Sequence, residues 1–119
     1  DTVSKQVLMQ AFANRDAINV ALERKLASFY STSRNKQWVK GETSGNTLPI
    51  KGFKTNDGVD GKVLLYEVDR GDSGACHISD SSGTPWTTCF GRKINLNNGR
   101  VMPDAVDEIL NEKQPCPTW

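Results

Sequence analysis

The sequence predicts an α+β fold: a long N-terminal helix packed on a small antiparallel sheet, with a short C-terminal helix. Three observations lead there. Residues 2–30 contain no Gly and no Pro, and their apolar side chains recur at intervals of three and four, the period of one helix face. Residues 62–69 hold a β-branched and large apolar run, too short and too closely bounded by glycine for a helix. Met102-Pro103-Asp104 then opens a second helical pattern, because Pro suits a first turn.

In the first element Val3, Val7, Leu8, Ala11, Phe12, Ile18, Ala21, Leu22, Leu26 and Phe29 form the apolar stripe. Lys5, Gln6, Asn14, Asp16, Glu23, Arg24 and Lys25 lie opposite. At roughly 1.5 Å per residue such a helix is on the order of 40 Å long, more than a small domain needs to span its core. Its C-terminal half, Ile18, Leu22, Leu26 and Phe29, is expected to pack on the sheet. Val3, Val7, Leu8 and Phe12 are then left bare, and a bare apolar strip marks an interaction surface. The polar run 31–36 ends the helix by competing for backbone hydrogen bonds.

Residues 37–53 are polar and broken by Gly41, Gly45, Pro49 and Gly52, which reads as a long connection with one short strand at 48–53. Asn56-Asp57-Gly58 and Asp60-Gly61 are turn sequences that lead into the strand at 62–69, with Val63, Leu64, Leu65, Tyr66 and Val68. A turn at 70–74, a short strand at 75–78, a turn at 79–85 and strands at 86–90 and 92–96 follow. Asn98-Gly99 closes the next hairpin. In the second helix Asp104, Asp107 and Glu108 complement the helix dipole, and Ala105, Val106, Ile109 and Leu110 form the buried stripe. The tail 114–119 holds Pro115 and Pro117 around Cys116 and is expected to be extended. The chain reads as a single domain, 1–119, with a helical spine over 1–34 and a β-rich head over 35–119.

Fifteen basic and fourteen acidic residues in 119 give a net charge of +1, too little field to draw in nucleic acid. No apolar run approaches the roughly 18 residues of a membrane span, and no secretory leader is expected. The start inside a helical pattern is what a trimmed or mature form would show. Cys76, Cys89 and Cys116 make no C-x-x-C pair, and His77 is the single histidine, which argues against a zinc site of the usual Cys/His type. No metal and no cofactor are expected. A disulfide between two of the cysteines implies a secreted or periplasmic protein, against the alternative of three reduced thiols in the cytosol. Closing 89–116 would restrain the unfolded chain by roughly 3–4 kcal/mol in the chain-entropy model. A Cys76–Cys89 bond would instead staple neighbouring strands, and spacing leaves both pairings open.

Gly71-Asp72-Ser73-Gly74 matches the string around the nucleophile of chymotrypsin-like proteases, but the only histidine lies four residues on in the same hairpin, so a Gly-rich turn is the better account. Arg70-Gly71-Asp72 contains the tripeptide of integrin ligands on a predicted exposed turn, making Arg70 and Asp72 candidates for surface recognition. Asp57, Asp60, Asp69, Asp72 and Asp80 lack the spacing of a dedicated calcium loop and read as turn-forming acids. His77 titrates near neutrality and, with Glu42, Glu67, Arg70 and Arg92, would serve a small secreted nuclease or toxin.

The helix, the polar crossing, the small sheet and the cysteine-bounded C-terminal loop, with Trp86-Thr87-Thr88-Cys89 on a strand and Cys116 near the end, resemble the soluble domain of a type IV pilin. The resemblance implies that Cys89 and Cys116 form the structural disulfide, closing a loop that holds the second helix. It implies a structural filament subunit with no active site, serving adhesion, motility or DNA uptake. Val3, Val7, Leu8 and Phe12 would be its assembly face and copies of itself its partners. It would meet the membrane only through an N-terminal segment preceding Asp1. Its expected place is the cell surface or extracellular space, and the periplasm before assembly. The alternative readings are a secreted, disulfide-stapled binding or inhibitor module and the small enzyme built on His77.

Overall fold

The computed structural model describes residues 1–56 and 62–103. They hold one α-helix, α1 (Arg15–Arg24), and six short strands: β1 (Ser28–Ser31), β2 (Lys36–Val39), β3 (Ile50–Thr55), β4 (Leu64–Val68), β5 (Arg92–Ile94) and β6 (Val101–Pro103). The strands pair as three antiparallel two-stranded sheets, β1–β2, β3–β4 and β5–β6. The chain divides into two compact units, one of Asp1–Gln6 with Gln10–Ser73 and one of Val7–Met9 with Gly74–Trp119.

The long N-terminal helix is not formed. Asn14 holds extended backbone (φ −103°, ψ 178°), and its side-chain oxygen accepts the Ala17 N–H at 2.9 Å, so helix geometry begins at Arg15. Lys25, at φ 57°, ends it in the left-handed region. Before Asn14 the main chain is held by distant partners. Thr2 N–H donates to Val68 O at 2.7 Å, and Tyr30 N–H donates to Phe12 O at 2.7 Å. The supposed stripe therefore shares no face. Val3, Val7 and Phe12 are 80%, 65% and 70% exposed while Leu8 is buried.

In the first unit α1 buries only Ala17 and Ala21, one turn apart on the same side. Such small side chains permit close approach to the chain that follows. Leu26 forms an isolated bridge with Pro49 rather than packing from a helix, and Phe29 sits in β1. The polar run expected to end the helix is the loop of the β1–β2 hairpin, with Asn35 at φ 49° and hydrogen-bonded to the Tyr30 hydroxyl. β1 and β2 pair Ser28 with Val39 and Phe29 with Trp38. The core gathers Ala17, Ala21, Ala27, Phe29, Val39, Leu48, Ile50 and Val68.

The expected strands at 48–53 and 62–69 are present as β3 and β4, which pair with an irregularity between Ile50 and Gly52. Residues 57–61, with their turn signals, lie outside the described residues. Gly41 (φ 78°) permits the tightest approach in this unit: a Cβ there would stand 2.1 Å from the Asn46 carbonyl.

In the second unit the expected strands at 75–78 and 86–90 are irregular limbs, joined by an isolated Ser79–Pro85 bridge. β5 and β6 flank a loop over 95–100 that contains Asn98-Gly99, with Gly99 at φ 70°. Met102 and Pro103, expected to open the second helix, belong to β6. The rest of that expected helix, the tail and Cys116 lie outside the described residues, as does the expected disulfide-closed loop that ends at Cys116. Among the described residues no helix is long and apolar enough to cross a membrane.

Candidate active site

The chemistry-bearing residues of the second unit converge on the hairpin 74–90. Its limbs approach closely because Gly74 lacks a side chain, and a Cβ there would stand 2.5 Å from Pro85. Main-chain bonds from Ala75 N–H to Thr87 O (3.3 Å), Cys76 N–H to Trp86 O (3.1 Å) and Trp86 N–H to Ile78 O (2.8 Å) hold the limbs in register. The tip is locked by Asp80. Its carboxylate accepts from Ser82 N–H (2.9 Å), Ser82 Oγ (2.6 Å) and Thr84 N–H (3.0 Å). The Ser82 bond chiefly holds the Asp80 carboxyl below its usual range, since it favours the ionised form.

Between the limbs Cys76, Ile78 and Trp86 form a buried cluster, with Cys89 packed against it. Trp86 lies over Gly91, where a Cβ would stand 2.6 Å from the ring, and carries the Arg92 guanidinium 5.6 Å from its centroid. The Cys76 thiol is lowered to about 6, first by a hydrogen bond from Cys89, then by main-chain bonds and the charge of His77, with burial opposing. The Cys89 S–H also has the Ala75 carbonyl at 3.8 Å. A thiolate is the stronger acceptor, so the proton faces Cys76 when that sulfur is ionised. The pair then shares one proton near neutrality. Cys76 is buried, Cys89 half-buried and His77 exposed, so the last two are the members that meet solvent.

Two adjacent sulfurs and an imidazole are donors that soft metal ions take. Among the described residues, no three His, Cys, Asp or Glu side chains are gathered as such an ion requires. Asp57 and Asp60 lie outside the described residues.

The other residues singled out from sequence lie elsewhere. Arg70 is half-buried, its Nη1 donating to Ser73 O at 3.2 Å and its buried Nε lacking a hydrogen-bond partner, while Asp72 is exposed in the adjoining turn. Glu42 is exposed, and Glu67 faces Lys54 at 3.7 Å, both in the first unit. Thr88 and Trp86 carry the thiol site but stand out in the sequence by no chemical motif. One signal was available: counting back from the 79–85 turn sets 76 opposite 86–89.

Residues 9–91 match the family model described as phosphoribosyl-AMP cyclohydrolase, a span that takes in both cysteines and His77. A phosphoribosyl-AMP cyclohydrolase of Chlorobium phaeovibrioides is 40% identical over 117 residues, covering 95% of this chain and 79% of that protein. The one of Methanothermobacter thermautotrophicus is 37% identical over 106 residues, covering 89% and 70%. The histidine biosynthesis bifunctional protein HisIE of Deinococcus radiodurans is 40% identical over 94 residues, 79% of this chain and 39% of that protein. These likenesses overturn the pilin resemblance. With it fall the filament role, self-assembly as partnership, the cell-surface, extracellular and periplasmic locations and the absence of an active site. The secreted binding module and the secreted nuclease or toxin fall too, because the relatives are biosynthetic enzymes by name.

Proposed function

Because this chain belongs to the phosphoribosyl-AMP cyclohydrolase family, we propose that it hydrolyses a ring carbon–nitrogen bond of phosphoribosyl-AMP, with residues 1–119 acting as a single catalytic domain. The Deinococcus radiodurans relative carries histidine biosynthesis in its name, and we assign this chain to the same pathway. The observation that carries the reading is the Cys76–Cys89 pair, poised to exchange a proton near neutrality and lying inside the matched span.

Hydrolytic ring opening needs a base for the attacking water and an acid for the departing nitrogen, each most effective with a pKa near the working pH. The sulfur pair supplies the base. As the water oxygen bonds to the ring carbon, its proton passes to the Cys89 sulfur and the proton already on Cys89 passes to Cys76. The pair thus goes from one proton to two. The carbon–nitrogen bond breaks, and exposed His77 donates a proton to the leaving nitrogen. The two protons on the pair and the empty position on His77 are reset by exchange with solvent.

The test is turnover of phosphoribosyl-AMP by the purified protein, followed by the ultraviolet change of the purine and by a product heavier by one water. Cys76→Ser is expected to lower kcat by roughly 100-fold or more, the scale of a lost general base. A wild-type protein that leaves phosphoribosyl-AMP intact sinks the reading.

A further inference from the structure

Thr88 is a buried polar residue that the chemistry above does not use. Its hydroxyl donates to Val7 O at 2.6 Å, with Leu8 O at 3.2 Å, and accepts the Phe90 N–H at 2.9 Å. The acceptance from two residues on is a side-chain turn that bends the main chain at Cys89. Cys89 N–H itself donates to Leu8 O at 2.7 Å. Cys89 is thus bracketed: the residue before it and its own amide are tied to the 7–9 segment, and the residue after it is tied to the Thr88 hydroxyl.

We propose that Thr88 is a positioning residue, whose hydroxyl sets the main chain at Cys89 so that the Cys89 sulfur is held against Cys76. Loss of the hydroxyl leaves the Val7 carbonyl and the Phe90 amide without that partner and frees the bend. The Cys89 sulfur then drifts from Cys76, and the bond that favours the Cys76 thiolate weakens. The other groups acting on Cys76 are His77, which lowers its pKa through charge, and the main-chain bonds at His77 and Ile78. Arg92 is the further charge on this hairpin, stacked on Trp86. None of these contacts passes through Thr88.

The inference rests on the reading of the sulfur pair as the proton-transfer group, and its test is independent of turnover. In Thr88→Ser, Thr88→Val and Thr88→Ala the pH midpoint of Cys76 alkylation, located by peptide mapping, is measured on the intact chain. Thr88→Ser is expected to keep the midpoint near 6. Thr88→Val or Thr88→Ala raises it by about one pH unit or more, a tenfold loss of thiolate below the midpoint, and lowers kcat with KM little changed. A folded Val or Ala variant with the wild-type midpoint overturns the proposal. So does failure of both to fold while Thr88→Ser folds, which would make Thr88 structural alone. A raised midpoint with unchanged turnover upholds the role of Thr88 and removes the sulfur pair from catalysis.

Discussion

The Tyr66 hydroxyl donates to the main-chain carbonyl of Ser28 at 2.9 Å, joining β4 to β1 although the two strands belong to different sheets. Phe29 and Phe53 flank the ring at centroid distances of 5.6 and 5.5 Å, the second edge-on. Tyr66→Phe keeps this aromatic packing and removes one hydrogen bond. It is expected to cost about 1–2 kcal/mol, since the Ser28 carbonyl loses a part-buried partner. Urea unfolding followed by tryptophan fluorescence measures it; an unchanged midpoint would show that water replaces the hydroxyl without loss.

The same tyrosine gives an alkaline signature. Burial raises its pKa above the ordinary 10.0 because the phenolate is disfavoured inside. A group with a raised folded pKa contributes stability that is complete below its unfolded value and is lost as pH rises through the folded one. Wild-type stability should therefore fall more steeply above pH 10 than that of Tyr66→Phe. Parallel curves from the two proteins would refute the assignment.

Cys76 works in the opposite direction. Its thiol is lowered from 9.0 to about 6, so the stability it contributes is complete above the unfolded value and is lost as pH falls through about 6. Activity should rise through the same region as the thiolate forms. Cys89→Ala removes the largest cause of the shift, and the acid limb of kcat against pH is expected to move toward alkaline values. A limb that stays in place would locate the titrating group elsewhere.

Gly41 offers a steric test. With φ at 78° and the Asn46 carbonyl 2.1 Å from the position a Cβ would take, Gly41→Ala is both strained and obstructed. Backbone strain of this kind costs roughly 1–3 kcal/mol before the clash is added. Thermal unfolding should show a clear loss, while Gly45→Ala, with φ also positive but open space around it, suffers the strain alone and loses less.

At the start of α1, Asn14→Ala is expected to cost about 1 kcal/mol by leaving the Ala17 N–H without its cap. Asn14→Ser should recover most of it in the same denaturation experiment. Equal stability of Ala and Ser would mean that water caps the helix as well.

What could be read from residues alone differed along the chain. The β4 run was legible because β-branched and aromatic residues bounded by glycine have few other uses, and Asn98-Gly99 does lie in a loop between paired strands. The first thirty residues misled because periodicity registers spacing without registering burial. Val3, Val7 and Phe12 keep helical spacing in a segment whose main chain is bonded to remote strands. The corrective signal was local: Asn14 two residues before an acidic first-turn Asp16 is an N-cap pattern, and it outweighed the run of apolar residues upstream. At the site, sequence exposed Cys76, His77 and Cys89 as separate features. Their use together depends on the limb register set by Gly74 and on the bend at Thr88, neither of which leaves a periodic or compositional mark.

The helix α1 is seated by two alanines and nothing larger. An element held in this way has almost no volume to lose, so truncation, the usual injury to a core, has little purchase on it. Its weakness is enlargement. In a saturation library, Ala17 and Ala21 should reject every side chain bigger than serine, while exposed Asn19 and Glu23 between and beyond them accept nearly any helix-compatible residue. Exposed Asn19 is accordingly a natural place to attach a dye or an affinity handle, a tether that leaves the packed side of the helix undisturbed.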